Sequence, residues 1–313
     1  MMSENLTLES TEAPPPAKPK RSGGRRKKAV ATVPGPLYTQ YFGLHEAPFG
    51  ITPDTEFIYA TRSHQEGLNT LLIALKSGEG FIKITGEVGT GKTLLCRRLL
   101  RTLAEENCVT AYLPNPGLSP ETLLRSVADE IGLALDDAAD PYVLLKSLNE
   151  SLLKFAAEQK TVVVLLDEAQ AIPVEALETL RLLSNLETEK RKLLQIVMFG
   201  QPELDAHLAN PAIRQLRQRI AFSFRLAVMS RDELHQYLTH RLRKAGLVAG
   251  ELFTDEAVRA LYVAARGIPR LINILANKCL LAVFGEGGQL VRARHVRSAA
   301  RDTEGARRPW AWW

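Results

Sequence analysis

A parallel five-stranded α/β sheet with helices on both faces, followed by a small all-helical domain, is the fold class the sequence predicts. Three observations carry it. Short β-rich runs alternate with helical stretches through the first two thirds of the chain. One run, Thr161-Val162-Val163-Val164-Leu165-Leu166, is apolar and β-branched, as an interior parallel strand buried on both faces must be. After Ser230 the β signal stops and only helical periodicity continues.

The elements follow in order. Residues 1–36 hold Pro14-Pro15-Pro16, Gly23-Gly24 and many basic residues but almost no large apolar ones. Such a stretch cannot bury enough surface to offset its ordering entropy and is read as a disordered basic arm. Order is expected near Leu37 or Tyr38, where Tyr41-Phe42, Phe49 and Phe57 bring in aromatics. Phe81 to Thr85 reads as the first strand, then a Gly-rich turn and a helix over about 91–104. Cys108 to Leu113 reads as the second strand, with helices around 119–132 and 141–158. The third strand ends at Asp167. A helix from Val174 to Leu186, a strand from Leu193 to Phe199, a helical stretch to Gln218 and a last strand from Ile220 to Leu226 complete the sheet. Beyond it, 231–245, 255–265, 269–283 and 292–302 read as four helices, with Ser230 and Thr254 as N-caps. The expected divisions are 1–36 arm, 37–229 α/β domain, 230–303 helical domain and 304–313 basic, aromatic tail.

Composition bounds the class. The 313 residues are 45% hydrophobic and 24% charged, which excludes collagen-like, fully disordered and disulfide-framework chains. No apolar run reaches the length of a transmembrane helix, and Met1 to Glu12 lacks the apolar core of a secretory signal. Cys96, Cys108 and Cys279 have no metal-type spacing, and so sparse a set fits a reducing cytoplasm. The net charge of +5 is uneven: residues 1–36 carry +4, residues 291–313 carry +4, and the middle carries −3. The basic character sits at the two ends.

Gly86-Glu87-Val88-Gly89-Thr90-Gly91-Lys92-Thr93 matches G-x-x-x-x-G-K-[ST] between a strand and a helix. The glycines let backbone N–H groups wrap phosphates, and the helix opening through Thr93 and Leu94 points its positive end at them. A nucleotide is the expected ligand, with Lys92 on the β/γ-phosphates and the Thr93 hydroxyl on Mg²⁺. Asp167-Glu168 ends the apolar strand at the carboxyl edge of the sheet, the ligand side of such folds. Asp167 suits the Mg²⁺ ligand of a Walker-B strand, and Glu168 suits the base that polarises the attacking water. A second carboxylate beside the metal-binding one argues for hydrolysis rather than binding alone.

Five further residues, in three places, are read with an alternative for each place. Gln201, after the next strand, either orients the water beside the γ-phosphate or caps the turn before Pro202. Arg214, Arg217 and Arg219 either supply an arginine finger to a neighbouring subunit or form a solvated helix face. Arg270 begins a helix behind Pro269 and either reaches the phosphates from the helical domain or makes a surface ion pair.

Taken together, Tyr41-Phe42-Gly43-Leu44, Pro48-Phe49, Thr52-Pro53-Asp54, His64-x-Glu66, Gly78-Glu79-Gly80-Phe81 and the P-loop form one pattern. Asp167-Glu168-Ala169-Gln170, Gly200-Gln201-Pro202-Glu203-Leu204, Leu216-Arg217-Gln218-Arg219-Ile220 and Gly267-Ile268-Pro269-Arg270 extend it. The set closely resembles the ExeA/GspA and MshM-like AAA+ ATPases of bacterial secretion and type IV pilus systems, over roughly residues 38–300. The resemblance implies an AAA+ fold with a helical lid, ATP hydrolysis, and action as an oligomeric motor or assembly factor at the inner face of the cytoplasmic membrane. By that pattern Lys92 and Thr93 belong to Walker A, Asp167 and Glu168 to Walker B, Gln201 to sensor 1 and Arg270 to sensor 2. Arg217 or Arg219 is then the finger, acting in trans. ExeA/GspA proteins continue into a membrane helix and a peptidoglycan-binding domain, so the soluble MshM-like branch is the expected match. A DNA-associated ATPase regulating transposition, similar to TniB, is the alternative, with the basic ends gripping DNA. An anionic membrane surface is the competing partner for those ends, and Trp310, Trp312 and Trp313 suit an interfacial anchor.

Overall fold

The computed structural model describes residues 37–50, 57, 59–134, 140–185, 187 and 192–308. The basic arm, the Thr52-Pro53-Asp54 motif and the terminal Pro309 to Trp313 lie outside the described residues. Five strands, β1 (Phe81–Thr85), β2 (Cys108–Leu113), β3 (Thr161–Leu166), β4 (Leu194–Gly200) and β5 (Ile220–Arg225), form one sheet in the order β2-β3-β4-β1-β5. Every pairing is parallel. The strand expectations hold to within a residue.

β3 shows why an uninterrupted apolar run was needed. Val162, Val164 and Leu166 pack into one core, and Val163 and Leu165 pack into the core on the opposite face. β4 repeats the alternation, with Leu194, Ile196 and Met198 on the first side and Val197 and Phe199 on the second. The first face is covered by α4 (Pro120–Glu130), α5 (Pro141–Ala157) and α6 (Val174–Leu183), with α7 (Glu203–Leu208) and α8 (Arg214–Gln218) at its end. The second is covered by α2 (Arg62–Lys76) and α3 (Lys92–Ala104). The stretch expected to be helical up to Gln218 is divided between α7 and α8, because Asn210 caps a short turn at Pro211.

α2 was not expected. Its signal was present in the spacing of Leu68, Leu71 and Leu75, which are buried, but Gly67 and Ser63 obscured the helical pattern. Gly67 has a packing reason: a Cβ there would come within 3.1 Å of Leu95 and 3.2 Å of Phe224, so α2 lies close on α3 and β5. Gln195, buried in β4, donates through Nε2 to Leu75 O and Glu79 O, both at 3.0 Å, and holds the end of α2 to the sheet.

The helical part comprises α9 (Arg231–Lys244), α10 (Asp255–Ala265), α11 (Pro269–Gly285) and α12 (Ala293–Arg301). Ser230 caps α9 in a reciprocal capping box with Glu233, and Thr254 caps α10, as expected from their positions. The core of this part includes residues from far upstream. Tyr38 of α1 (Tyr38–Tyr41), with Phe42, Leu44, Phe49 and Phe57, packs among Leu234, Leu238, Leu261, Leu275 and Val283. Among the described residues, no helix is long and apolar enough to cross a membrane.

The turn between α10 and α11 is closely fitted. Gly267 has φ +70° and accepts through its carbonyl from Met229 N at 2.8 Å. A Cβ at 267 would stand 2.2 Å from Met229 O. Gly267→Ala is therefore expected to lose ~1–2 kcal/mol to the left-handed backbone alone, with the steric cost added. Thermal unfolding is the check, and a melting temperature equal to that of the unaltered chain would contradict the fit.

Candidate nucleotide site

The P-loop leaves β1 at Thr85 and enters α3 at Lys92, at the point where β1 lies between the later strands β4 and β5. A crevice opens at such a reversal of strand order. Gly89 and Gly91 take φ +82° and +96°, conformations that glycine alone adopts without strain, and Gly91 is the N-cap of α3. The loop is also held by Thr90, whose hydroxyl donates to Glu87 O at 2.8 Å. Lys92 is only 5% exposed. Its Nζ donates to Gly86 O at 2.8 Å and Glu87 O at 3.1 Å. Burial pulls its ammonium below the usual lysine range, against the opposing pull of Glu168 and Asp167.

Both carboxylates stand where the end of β3 puts them. Asp167 is 3% exposed; its backbone N donates to Leu113 O and its Oδ1 accepts from Glu168 N at 3.0 Å. Burial raises its pKa, while a hydrogen bond from Thr93 pulls the other way. The Thr93 hydroxyl and the Asp167 carboxylate are thus side by side, oxygen donors of the kind Mg²⁺ takes together with nucleotide phosphates. Glu168 has φ +52°, left-handed for a residue with a side chain, a cost accepted at few places outside functional sites. Its Oε2 accepts from Gln170 Nε2 at 2.5 Å and Gln201 Nε2 at 3.1 Å. Gln170 Oε1 in turn accepts from Gln201 N at 3.0 Å. Burial would raise the Glu168 carboxyl, but these two amides and the Lys92 charge outweigh it and hold the group below the usual glutamate range. Gln201 therefore reaches the carboxylate rather than merely closing its turn.

A cleft of about 410 Å³ runs along this edge. Val88 to Leu94, Glu168 and Gln201 line it from the sheet side, and Met229, Tyr237, Arg241, Pro269, Arg270 and Asn273 line it from the helical side. Arg270 is brought against the P-loop. Its backbone N lies 3.4 Å from Gly89 O, and a Cβ on Gly89 would meet Arg270 Cβ at 2.6 Å. Arg217 and Arg219 are not among the lining residues. Arg217 is exposed on α8, and Arg219 donates from Nη1 to Ser184 Oγ at 3.1 Å and to Arg181 O at 3.4 Å, at the end of α6.

Several neighbours of the cleft carried no role in the sequence reading. Gln170 was visible two residues after Glu168, yet only the turn through Ala169–Ala171 brings its amide back to the carboxylate. Tyr237, Arg241 and Asn273 form a buried polar group whose members lie on α9 and α11. Tyr237 Oη donates to Asn273 Oδ1 at 2.6 Å and accepts from Arg241 Nη1 at 2.9 Å. Arg241 Nε donates to Pro48 O, its guanidinium lies 5.0 Å from the Phe57 ring centroid, and Asn273 Nδ2 donates to Gly50 O at 3.3 Å. The 237/241 spacing marks one helix face, but nothing in sequence ties it to residues 48–57.

A glycine-rich loop closing on a buried lysine, two acids at the end of β3, one strand removed from the P-loop strand, and helices over the cleft are the arrangement of a P-loop AAA+ fold. A family profile described as "AAA domain" (AAA_22) matches residues 75–208. Over 276 residues the chain is 41% identical to the general secretion pathway protein A of Aeromonas hydrophila, a match taking in 88% of this chain and 50% of that protein. The resemblance to the ExeA/GspA-like AAA+ ATPases is thereby borne out, and the chain spans about half the length of the curated relative it matches. Among solved structures, Cdc6p from Pyrobaculum aerophilum matches at a TM-score of 0.60 and 18% identity, over 80% of this chain and 71% of that one. Drosophila ORC bound to DNA matches at 0.61 and 17%, over 90% and 70%. These two share the AAA+ fold with the chain.

Proposed function

We propose that this chain hydrolyses ATP with Mg²⁺ as a homo-oligomer and serves the assembly or operation of a secretion or type IV pilus apparatus at the cytoplasmic face of the membrane. The observation that carries the hydrolytic part is Glu168, a carboxylate kept ionised by Gln170 and Gln201 in the same cleft as the P-loop lysine. Lys92 would neutralise the β/γ-phosphates, and Thr93 with Asp167 would hold the metal. Bound there, Mg²⁺ would supply neutralisation of the charge that develops on the phosphates. Glu168 would take the proton of the attacking water, with Gln201 keeping the carboxylate in place as sensor 1. Arg270 would approach the phosphates from the lid as sensor 2. The secretion setting rests on the name of the Aeromonas relative, and an apparatus component is the proposed protein partner. Anionic lipid is the proposed surface for the basic ends, whose charges are those of residues 1–36 and 291–313.

Arg219, or Arg217 beside it, would act on a neighbouring subunit's nucleotide. Mixing an Arg219→Ala chain with a Lys92→Ala chain is expected to restore part of the ATP turnover that each lacks alone, read as phosphate release. The arginine of one then serves the P-loop of the other, a contribution of about 10³–10⁵ in rate in related phosphoryl transfers. Absence of recovery would remove Arg219 from the finger role, and absence of phosphate release by the unaltered chain would overturn the hydrolytic reading.

A further inference from the structure

His64 is the buried polar side chain of the cleft that the roles above leave unused. It stands in the first turn of α2, is 6% exposed, and lines the same cleft as Lys92 and Arg270. Thr61, the N-cap of α2, accepts from His64 N at 3.3 Å through Oγ1, and that oxygen lies 2.6 Å from His64 Nδ1. A hydroxyl that accepts from an N–H keeps its own proton to give. With that proton given to Nδ1, and with the Thr90 and Gly91 carbonyls beside the ring, we assign the ring proton to Nε2. The Nε2–H group so produced is buried and, although the Thr90 and Gly91 carbonyls lie beside the ring, makes no well-formed hydrogen bond. Buried donors are rarely left so, and the unmet bond costs stability.

The position of Nε2 indicates what would meet it. A Cβ on Gly91 would stand 2.5 Å from Nε2, so the imidazole lies directly over the N-cap of α3. The first N–H groups of a helix are free at this point and favour anions. Around the ring are Thr61 of α2, the Thr90 and Gly91 carbonyls of the P-loop, Arg98 of α3 and Glu233 of α9. Burial, aided by Arg98, holds the imidazole pKa below the usual histidine value against the carbonyls and Glu233, which pull it up. The ring is therefore neutral at pH 7, a single donor beside the P-loop.

We propose that His64 is a nucleotide-binding residue whose Nε2–H donates to a phosphate oxygen of the nucleotide seated at Gly91. This rests on the nucleotide reading of the P-loop and adds a contact from outside the P-loop, Walker-B strand and lid. It also places α2, rather than the lid alone, in direct register with the occupied site. A phosphate beside Nε2 favours the imidazolium, so nucleotide binding raises the pH at which His64 titrates.

The test uses the full chain and ADP, so that turnover plays no part. The His64 ring is titrated by NMR without and with saturating ADP, and its midpoint is expected to move upward on binding. His64→Leu is expected to weaken ADP binding about 10–100-fold, the range for one hydrogen bond to a charged group. His64→Gln, which keeps a donor at similar reach, is expected to recover most of that affinity. An unmoved titration while ADP binds overturns the assignment, since a contact to sugar or base adds no charge beside the ring. Equal losses in the Leu and Gln variants, or a folded Leu variant that binds as the unaltered chain does, overturn it as well. Failure of the unaltered chain to bind ADP overturns the nucleotide reading and the assignment together.

Discussion

Lys92→Ala is expected to abolish measurable binding of ATP and ADP while leaving the fold intact. The ammonium is buried in the loop, and its two hydrogen bonds go to the carbonyls of Gly86 and Glu87. Those carbonyls are weak acceptors beside a phosphate, so binding exchanges neutral partners for charged ones. Two hydrogen bonds to a charged group are together worth at least about 100-fold in affinity. The folded state has less to lose, because desolvation already disfavours the lysine charge there. Calorimetric titration with ADP and a melting curve separate the two quantities. Undiminished affinity would remove Lys92 from the site, and collapse of the melting temperature would make the loss a folding effect.

Glu168→Gln is expected to keep ATP bound and to slow turnover by about 10²–10⁴-fold, the usual contribution of a general base. The substitution preserves shape but replaces a proton acceptor by an amide that must face two others. Gln170 and Gln201 both present Nε2 to Oε2 of Glu168, so the new side chain has to present its carbonyl oxygen there. Nucleotide affinity should change little, because Glu168 makes none of the P-loop hydrogen bonds. Single-turnover phosphate release against equilibrium ATP binding is the measurement; turnover near the normal rate would exclude the base role. The carboxyl lies below the ordinary glutamate range, so it remains ionised as pH falls through that range. Loss of turnover from protonation of Glu168 is expected only at pH values below it.

Much of this could be read from the order of residues, for reasons that differ by region. β3 is buried on both faces, so every position from Val162 to Leu166 had to be apolar and the strand was unmistakable. The P-loop was equally plain, since phosphate wrapping demands glycines at fixed offsets from one lysine. α2 was hidden because Gly67 is there for a close contact with Leu95 and Phe224, and glycine reads as a break in a helix. His64 and Gln170 stood in view as parts of motifs, yet their positions depend on backbone turns that bring Thr61, Gly91 and Glu168 to them. The buried Tyr237–Arg241–Asn273 group joins α9 and α11 to carbonyls at Pro48 and Gly50, a contact across more than 190 residues of chain for Arg241. No local pattern encodes such a partner.

The packing of Tyr38, Phe42, Leu44, Phe49 and Phe57 among the C-terminal helices has a mechanical result. The polypeptide passes between helical bundle and sheet twice, once on entering α2 and once on leaving β5. The two passages are fastened side by side: Arg62 N donates to Glu233 Oε1 at 2.9 Å, and Ala227 N donates to Ser63 Oγ at 2.8 Å. A lid slung on one strand can pivot freely, whereas one slung on two adjacent strands rocks about the line joining them.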